Sequence, residues 1–220
     1  MGISKEQALD CLRSADLIGI GMEADAVRRE LHPEGVVTYA VRSPSAGDDA
    51  GLYTLTAESF LIGSEPAHIF ELHRRAHRAG IRTTAGMVIG AGESLEDRVE
   101  HLFAIRTLQE ETDGFTAFAP YCLKPAIGDS RESPTAVEYM RTLAVARMVL
   151  DNIENVESSC VAQGLKVVQM ALRFGANDAG VIPAEGRLSF TEEDLRRVIR
   201  DAGFRPVERD PSYGTMFLNS

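Results

Sequence analysis

The stretch with the clearest capacity for chemistry is "GMVIGAGESLEDRVEHL", residues 86–102. It opens like a strand, turns on glycines and then becomes a helix capped by Ser94. Glycines let a backbone approach a flat ligand closely, and an apolar neighbour can pack on that ligand's face. Gly86, Val88, Gly90 and Glu93 are therefore candidate ligand-binding residues. The same spacing also suits a tight strand-to-helix turn that serves geometry only, and a short glycine motif does not decide between the two.

Other side chains carry weaker signals. His73 and His77 stand four apart on a helical stretch, a metal-ligand spacing, with His68 and Glu71 nearby. The surrounding "LHRRAHRAG" is rich in arginine, which repels a cation, so a solvated helix face is the expectation. Glu93, Glu96, Asp97 and Glu100 cluster at a helix start, where the macrodipole accounts for them without acid–base work. Asn177 and Asp178 follow Gly175 in a turn-like setting that suits an Asx turn. Arg98, Arg106, Arg141 and Arg147 lie on helices and are expected to pair with nearby acids.

The elements that must position these residues alternate between strand and helix. Ser4 with Gln7 reads as a capping box that opens a first helix. "ADAVRRELH" reads as a second short helix ended by Pro33 and Gly35. "GVVTYAV" is apolar on both faces, as in a buried parallel strand. "RSPSAGDDAG" (42–51) is a polar loop with a trypsin site at Arg42, and the region 42–65 is expected to be irregular. Pro66 suits the first turn of a helix that Gly80 caps. Further strands are expected in "IRTTAGMVIG", "GFTAFAP" and "VESSCVA", with helices between and after them, and "RPVERD" is a further strand candidate. This order implies βα units and a parallel sheet in one domain over 1–220, with residues 1–34 as N-terminal helices. A complete eight-unit barrel takes about 250 residues, so the fold class expected is α/β with a partial barrel or an open sheet.

The 220 residues carry a net charge of -10, which argues against a general nucleic-acid binder. No run approaches the roughly 20 apolar residues of a membrane span. The first residues lack a basic leader followed by an apolar run, so a cytoplasmic location is expected. Cys11, Cys122 and Cys160 form neither a CxxC nor a zinc spacing and are expected to be small buried or half-buried residues.

Five ordered blocks, "LHPEGVVTY", "AHRAGIRTTAGMVIGAGESLEDRVEHL", "LQEETDGFTAFAP", "YMRTLAVARMVLDNI" and "QGLKVVQMALRFGAND", resemble the dehypoxanthine futalosine cyclase family. That family belongs to the radical S-adenosylmethionine enzymes of the futalosine route to menaquinone. Aminofutalosine and deazaflavin-cofactor synthases share parts of the pattern. The resemblance implies a radical S-adenosylmethionine barrel whose Gly-x-Ile-x-Gly-x-x-Glu motif falls on Gly86, Val88, Gly90 and Glu93. This would be one wall of a nucleoside pocket. It places Asn177 and Asp178 near the mouth of a substrate pocket, with Glu185 matching the first of two family glutamates; Gly186 stands where the second would be.

One family feature is missing. The first strand of the family leads into a CxxxCxxC loop whose thiolates hold an iron–sulfur cluster. Here "AVR" runs into "SPSAGDDAGLYTLTAE", and strands two to four are expected to be deleted with the cluster loop. The expectation is a degenerate cyclase-like protein without a cluster and without radical cyclisation, retaining at most weak S-adenosylmethionine or nucleoside binding. Alternatives are an interaction or regulatory protein that pairs through an open barrel edge, with its own copies or a full-length relative, or an incomplete gene model of an active cyclase.

Overall fold

The structure, a computed structural model, describes residues 2–42, 66–123, 132–184 and 188–217. The loop 43–51, the remainder of the expected irregular region to 65, and Glu185 lie outside the described residues.

Two helices lead the chain, α1 (Lys5–Arg13) and α2 (Leu17–Leu31). Ser4 and Gln7 cap α1 reciprocally, as the capping box requires. Helix α2 begins well before the expected "ADAVRRELH". The Asp16 carboxylate accepts from the Gly19 amide, and the "LIGIG" turns gain their stability by packing on a later helix, α5 (Ala136–Val149). Intrinsic propensity there is poor, and tertiary packing overrides it.

Strand β1 (Val36–Arg42) follows, then α3 (Pro66–Arg78), β2 (Thr83–Ile89), α4 (Leu95–Thr112) and β3 (Phe115–Cys122). After α5 come β4 (Asn155–Val156), the short helices α6 (Cys160–Gln163) and α7 (Leu165–Ala171), and β5 (Asp178–Pro183). Helix α8 (Glu192–Asp201), β6 (Arg205–Arg209) and β7 (Met216–Phe217) complete the described chain. All strand pairs are parallel except β6 with β7.

The sheets β2-β3-β4 and β5-β1-β6-β7 meet at one bridge between Glu157 and Asp178. Around it the Ser158 amide donates to the Asp178 carbonyl (2.8 Å) and the Asn177 amide to the Val156 carbonyl (3.1 Å). The strand sequence is thus β2-β3-β4-β5-β1-β6-β7, an incomplete barrel. Strand β1 is paired on its other side with β6, in register from Val36–Arg205 to Ala40–Arg209.

One strand expectation changes. "VESSCVA" contributes only Val156 to a two-residue strand and Glu157 to one bridge, because Ser159 caps the Ala162 amide and turns Cys160–Gln163 into helix. Asp178 keeps the expected Asx turn, its carboxylate accepting from the Gly180 amide (2.7 Å), and also opens β5.

Side-chain alternation along the strands gives the sheet two distinct faces. Tyr39 faces the helices, where its hydroxyl donates to Glu192 of α8 (2.6 Å). Its neighbour Thr38 faces the inner side and donates to the Asp178 carboxylate.

The helix face also takes up His73 and His77. They are not on a solvated helix face as expected: His73 is buried, and both rings pack edge-on against Phe115. His73 Nδ1 and His77 Nε2 both lie 2.8 Å from the Thr83 hydroxyl, and His77 Nδ1 lies 2.7 Å from that of Thr112. Thr112 already donates to the Leu108 carbonyl, so His77 donates through Nδ1. Thr83 then donates to His77 Nε2 and accepts from His73 Nδ1, a chain that requires His77 to be neutral and His73 to carry its proton on Nδ1. The arginines nearby point elsewhere, Arg74 to Glu111 and Glu71 for example.

Burial, followed by the His77 and His101 charges, lowers the His73 pKa to about 4. An unfolded histidine titrates near 6.5. Below that pH the unfolded chain gains a proton that native His73 refuses, so stability falls with pH until about 4. The full difference is about 3 kcal/mol. Urea unfolding at pH 7 and pH 4.5 should show the wild type losing about 2–3 kcal/mol more than His73→Gln over that interval. Equal losses would show that His73 titrates normally.

Candidate functional site

The glycine turn sits where β2 hands over to α4. Cross-strand register sets Gly86 beside Ala119 and Val88 beside Tyr121 on the inner face. Val88 is half-exposed there, available to pack on a flat group, whereas Gly86 is buried.

Gly90 adopts φ +89°, and a Cβ added to it would stand 2.5 Å from Cγ of Pro134. Glycine is thus required by the backbone and by its neighbour, whether or not a ligand binds. Any larger side chain at this position reports on folding first.

Glu93 is committed to the turn. Its carboxylate accepts from the amides of Gly90 (2.9 Å) and Ala91 (2.8 Å) and pairs with buried Arg98 (2.7 Å). Arg98 in turn reaches Glu138 (2.5 Å) and the Thr142 hydroxyl (3.2 Å) on α5. This chain of charge-assisted bonds fixes the loop against α5 and leaves Glu93 little capacity toward a ligand. Ser94 and Asp97 complete a capping box, so Asp97 too has a local role.

Asn177 and Asp178 are likewise engaged. Asn177 Oδ1 accepts from Arg147 (2.6 Å) and the Val156 amide (2.9 Å), and its amide donates to Asn155 (2.8 Å). Arg147 is fully buried and departs from the expected pairing with acids. Its guanidinium donates to the carbonyls of Gly175 (2.8 Å), Ile153 (3.2 Å) and Glu154 (3.2 Å) and to Asn177. Burial, and then the charge of Arg28, pull its pKa downward. Arg141 also departs, donating to the Leu12 carbonyl. Arg98 pairs with acids as expected, and so does Arg106, with Asp151 and Glu110.

Asp178 forms a two-point pair with Arg209 at 2.6 and 2.8 Å, with side-chain exposures of 0% and 1%. Thr38 and the Gly180 amide (2.7 Å) supply its other donors. Burial works against the Arg209 charge, but Asp178 more than offsets this, so the guanidinium is held charged more firmly than usual. The pair ties β5, β1 and β6 together across the inner face.

Next to it lies a group that no sequence signal marked, Glu157. Burial, and then the Asp178 charge, push its pKa up, with Arg209 opposing. Nothing in "NVESSC" announces this, because the burial comes from strands far away in the chain. Tyr213, at φ +62°, lays its ring 3.6 Å from the Arg209 guanidinium and buries its hydroxyl without a hydrogen-bond partner among the described residues.

The implied cluster would need three thiolates close together. Cys11 lies in α1, Cys122 ends β3 and Cys160 opens α6, and all three thiols are free. Among the described residues no group of three histidine, cysteine or acidic side chains converges as a metal site. These residues do not make the thiolate set such a cluster needs. Among the described residues no helix is long and apolar enough to cross a membrane.

Comparison with known proteins gives a consistent result. The family described as the CofH/MqnC C-terminal region matches residues 112–219. A cyclic dehypoxanthine futalosine synthase of Halalkalibacterium halodurans is 34% identical over 206 residues, covering 87% of this chain and 54% of the relative. The synthase of the same name from Streptomyces coelicolor is 35% identical over 153 residues, covering 65% and 38%. An aminodeoxyfutalosine synthase of Thermus thermophilus is 35% identical over 160 residues, covering 65% and 43%. The chain thus spans about half, or less, of the length of these relatives. Among solved structures, methylornithine synthase superposes with a TM-score of 0.72 at 12% identity, covering 94% of each chain, a likeness of fold.

Proposed function

Because this chain belongs to the radical S-adenosylmethionine family that carries the CofH/MqnC C-terminal region, we propose that it is a degenerate relative of the futalosine-route cyclases of menaquinone synthesis. It keeps one wall of a nucleoside pocket and does not perform radical cyclisation. The observation that carries this reading is the combination of a family turn held in place by Glu93 and Arg98 with the lack of three neighbouring thiols in the chain. A nucleoside would lie against Val88 and the Gly86–Gly90 backbone, with Glu93 fixing the loop and not the ligand. Asn177 and Asp178 act by shaping the inner face. With only part of a pocket, most of the ligand stays wet, and affinity is weak.

Calorimetric titration with S-adenosylmethionine tests this. We expect a Kd in the high micromolar range, about -5 kcal/mol. Val88→Asp should abolish the heat while preserving the circular dichroism spectrum, since Val88 is half-exposed and not part of the turn's hydrogen bonding. Equal binding by Val88→Asp would place the site elsewhere, and no heat with the wild type would leave the turn as ancestry alone.

A second reading, pairing with another chain through a barrel edge, has one observation in its favour. Strand β2 pairs with β3 and with no other strand among the described residues. Along it runs a groove of 620 Å³ lined by Phe70, Met87, Val88, Arg98 and His101 among others. Parallel edges of this kind accept a further strand.

A further inference from the structure

At the end of β2 opposite the glycine turn, the last turns of α3 and α4 enclose a cavity of 340 Å³ lined by Arg74, His77, Arg78, Glu111 and Thr112. Small-molecule sites occupy about 300–1,000 Å³. A solute can enter, because Arg78 is exposed and the side chains of Arg74 and Glu111 are 29% and 48% accessible. His77 joins the cavity to Thr83, the first residue of β2. At about 3.3 Å per residue along the strand, the cavity and the glycine turn stand about 20 Å apart.

The charges around this cavity do not cancel. Arg74 donates to Glu111 (3.0 Å) and Glu71 (3.2 Å), and Glu71 also pairs with Arg75 (3.3 Å). Both carboxylates are thereby taken up. Arg78 and Arg82 are exposed and have no hydrogen bond or ion pair among the described residues. Arg82 lies within electrostatic reach of the cavity wall, since burial first, and then the Arg82 charge, lower the His77 pKa. Two cations without a counter-ion thus flank one cavity, in a chain whose net charge is -10. The macrodipole accounts for a cation in the last turn of α3, such as Arg78, but Arg82 stands past the helix end.

The wall between the two arginines is fixed. Both ring nitrogens of His77 are engaged by the hydroxyls of Thr112 and Thr83. Gly114 leaves the space that the ring fills, since a Cβ there would stand 2.1 Å from His77 Cγ. His77 therefore forms a neutral wall and adds no charge of its own.

We propose that this cavity binds a small phosphate-bearing molecule through Arg78 and Arg82. A guanidinium fork meets two phosphate oxygens at once, and neither of these forks has another acceptor to satisfy. Glu111 borders the ligand but is neutralised by Arg74. The cavity faces the N-terminal ends of the strands, whereas barrel chemistry sits at their C-terminal ends. The ligand is thus an effector that stabilises the fold by binding, and not a substrate.

Calorimetric titration of the full chain with inorganic pyrophosphate at pH 8 and low salt tests this. The expected Kd is below about 1 mM. Arg78→Gln and Arg82→Gln should each weaken binding by about fivefold to tenfold, and should keep the circular dichroism spectrum because both side chains are exposed and unpaired. Arg75→Gln removes the same charge from α3 outside the cavity and should weaken binding by less than about twofold. No heat with pyrophosphate, unchanged affinity in both cavity variants, or an equal loss in Arg75→Gln would overturn the site. A short single-stranded oligothymidylate that binds more tightly than pyrophosphate would assign the arginines to a nucleic-acid backbone and overturn the small-molecule reading. Val88→Asp should leave pyrophosphate binding unchanged, so this proposal and the nucleoside reading fail independently.

Discussion

Arg209→Met should destabilise the protein by about 3–5 kcal/mol, enough to unfold a typical domain of marginal stability. The substitution keeps side-chain bulk against Tyr213 but strands the Asp178 carboxylate, which has 0% exposure. Thr38 and the Gly180 amide remain as donors, and two neutral donors do not compensate a full buried charge. The design contains its own control. Asp178→Asn combined with Arg209→Met removes both charges, so the double variant should lose clearly less than the sum of the single losses. Urea unfolding of the four proteins measures this. A loss under about 1 kcal/mol in Arg209→Met would mean that the pair behaves like an exposed ion pair and does not hold β5, β1 and β6 together.

The second large effect is at Arg147. Arg147→Met removes donors from four oxygens at once, and two of these, the carbonyls of Gly175 and Ile153, have no other donor to turn to among the described residues. At about 1–3 kcal/mol for each orphaned buried acceptor, the expected loss is about 3–5 kcal/mol. Arg147→Lys should recover less than half, because an ammonium cannot span acceptors that are arranged around a planar fork. The same variants test how Asn177 is positioned. Without Arg147, Asn177 Oδ1 keeps only the Val156 amide, and the junction between the two sheets should show faster amide exchange at Val156 and Ser158. Full recovery by lysine would reduce the role of Arg147 to its charge.

These two arginines mark the boundary of what the sequence makes legible. Elements with local signatures are readable: Ser4 with Gln7, Ser94, and Pro66 with Gly80 all stand where the helix ends are. The alternation of strand and helix and the glycine turn at 86–93 are readable for the same reason, because a few neighbouring residues determine them. Arg147, Asp178, Arg209 and His73 are not readable in this way. A charged or polar residue is expected at the surface unless a partner accompanies it inward, and these partners come from distant parts of the chain. Asp178 meets Arg209 across 31 positions and Thr38 across 140. His73 reads as solvated because arginines surround it in sequence, yet the helix turns those arginines outward and His73 toward Thr83. The pairing of β6 on β1 is a third case, because nothing local in "RPVERD" names the strand beside it.

The family turn itself divides into two parts once its contacts are known. Glu93 and Gly90 are explained by the loop they build, whereas half-buried Val88, beside Tyr121, takes no part in the turn's hydrogen bonding. The proposed nucleoside binding therefore rests on Val88 and the backbone around it.

The central claim is that this chain keeps the family fold without the family's metal chemistry. It is tested most directly by anaerobic reconstitution of the purified full chain with iron and sulfide, followed by desalting, an iron count and an absorption spectrum. The account predicts a colourless protein with no stoichiometric iron, because Cys11, Cys122 and Cys160 sit on three different elements. A stable absorption band near roughly 400 nm, where thiolate-held clusters absorb, together with stoichiometric iron, would contradict it.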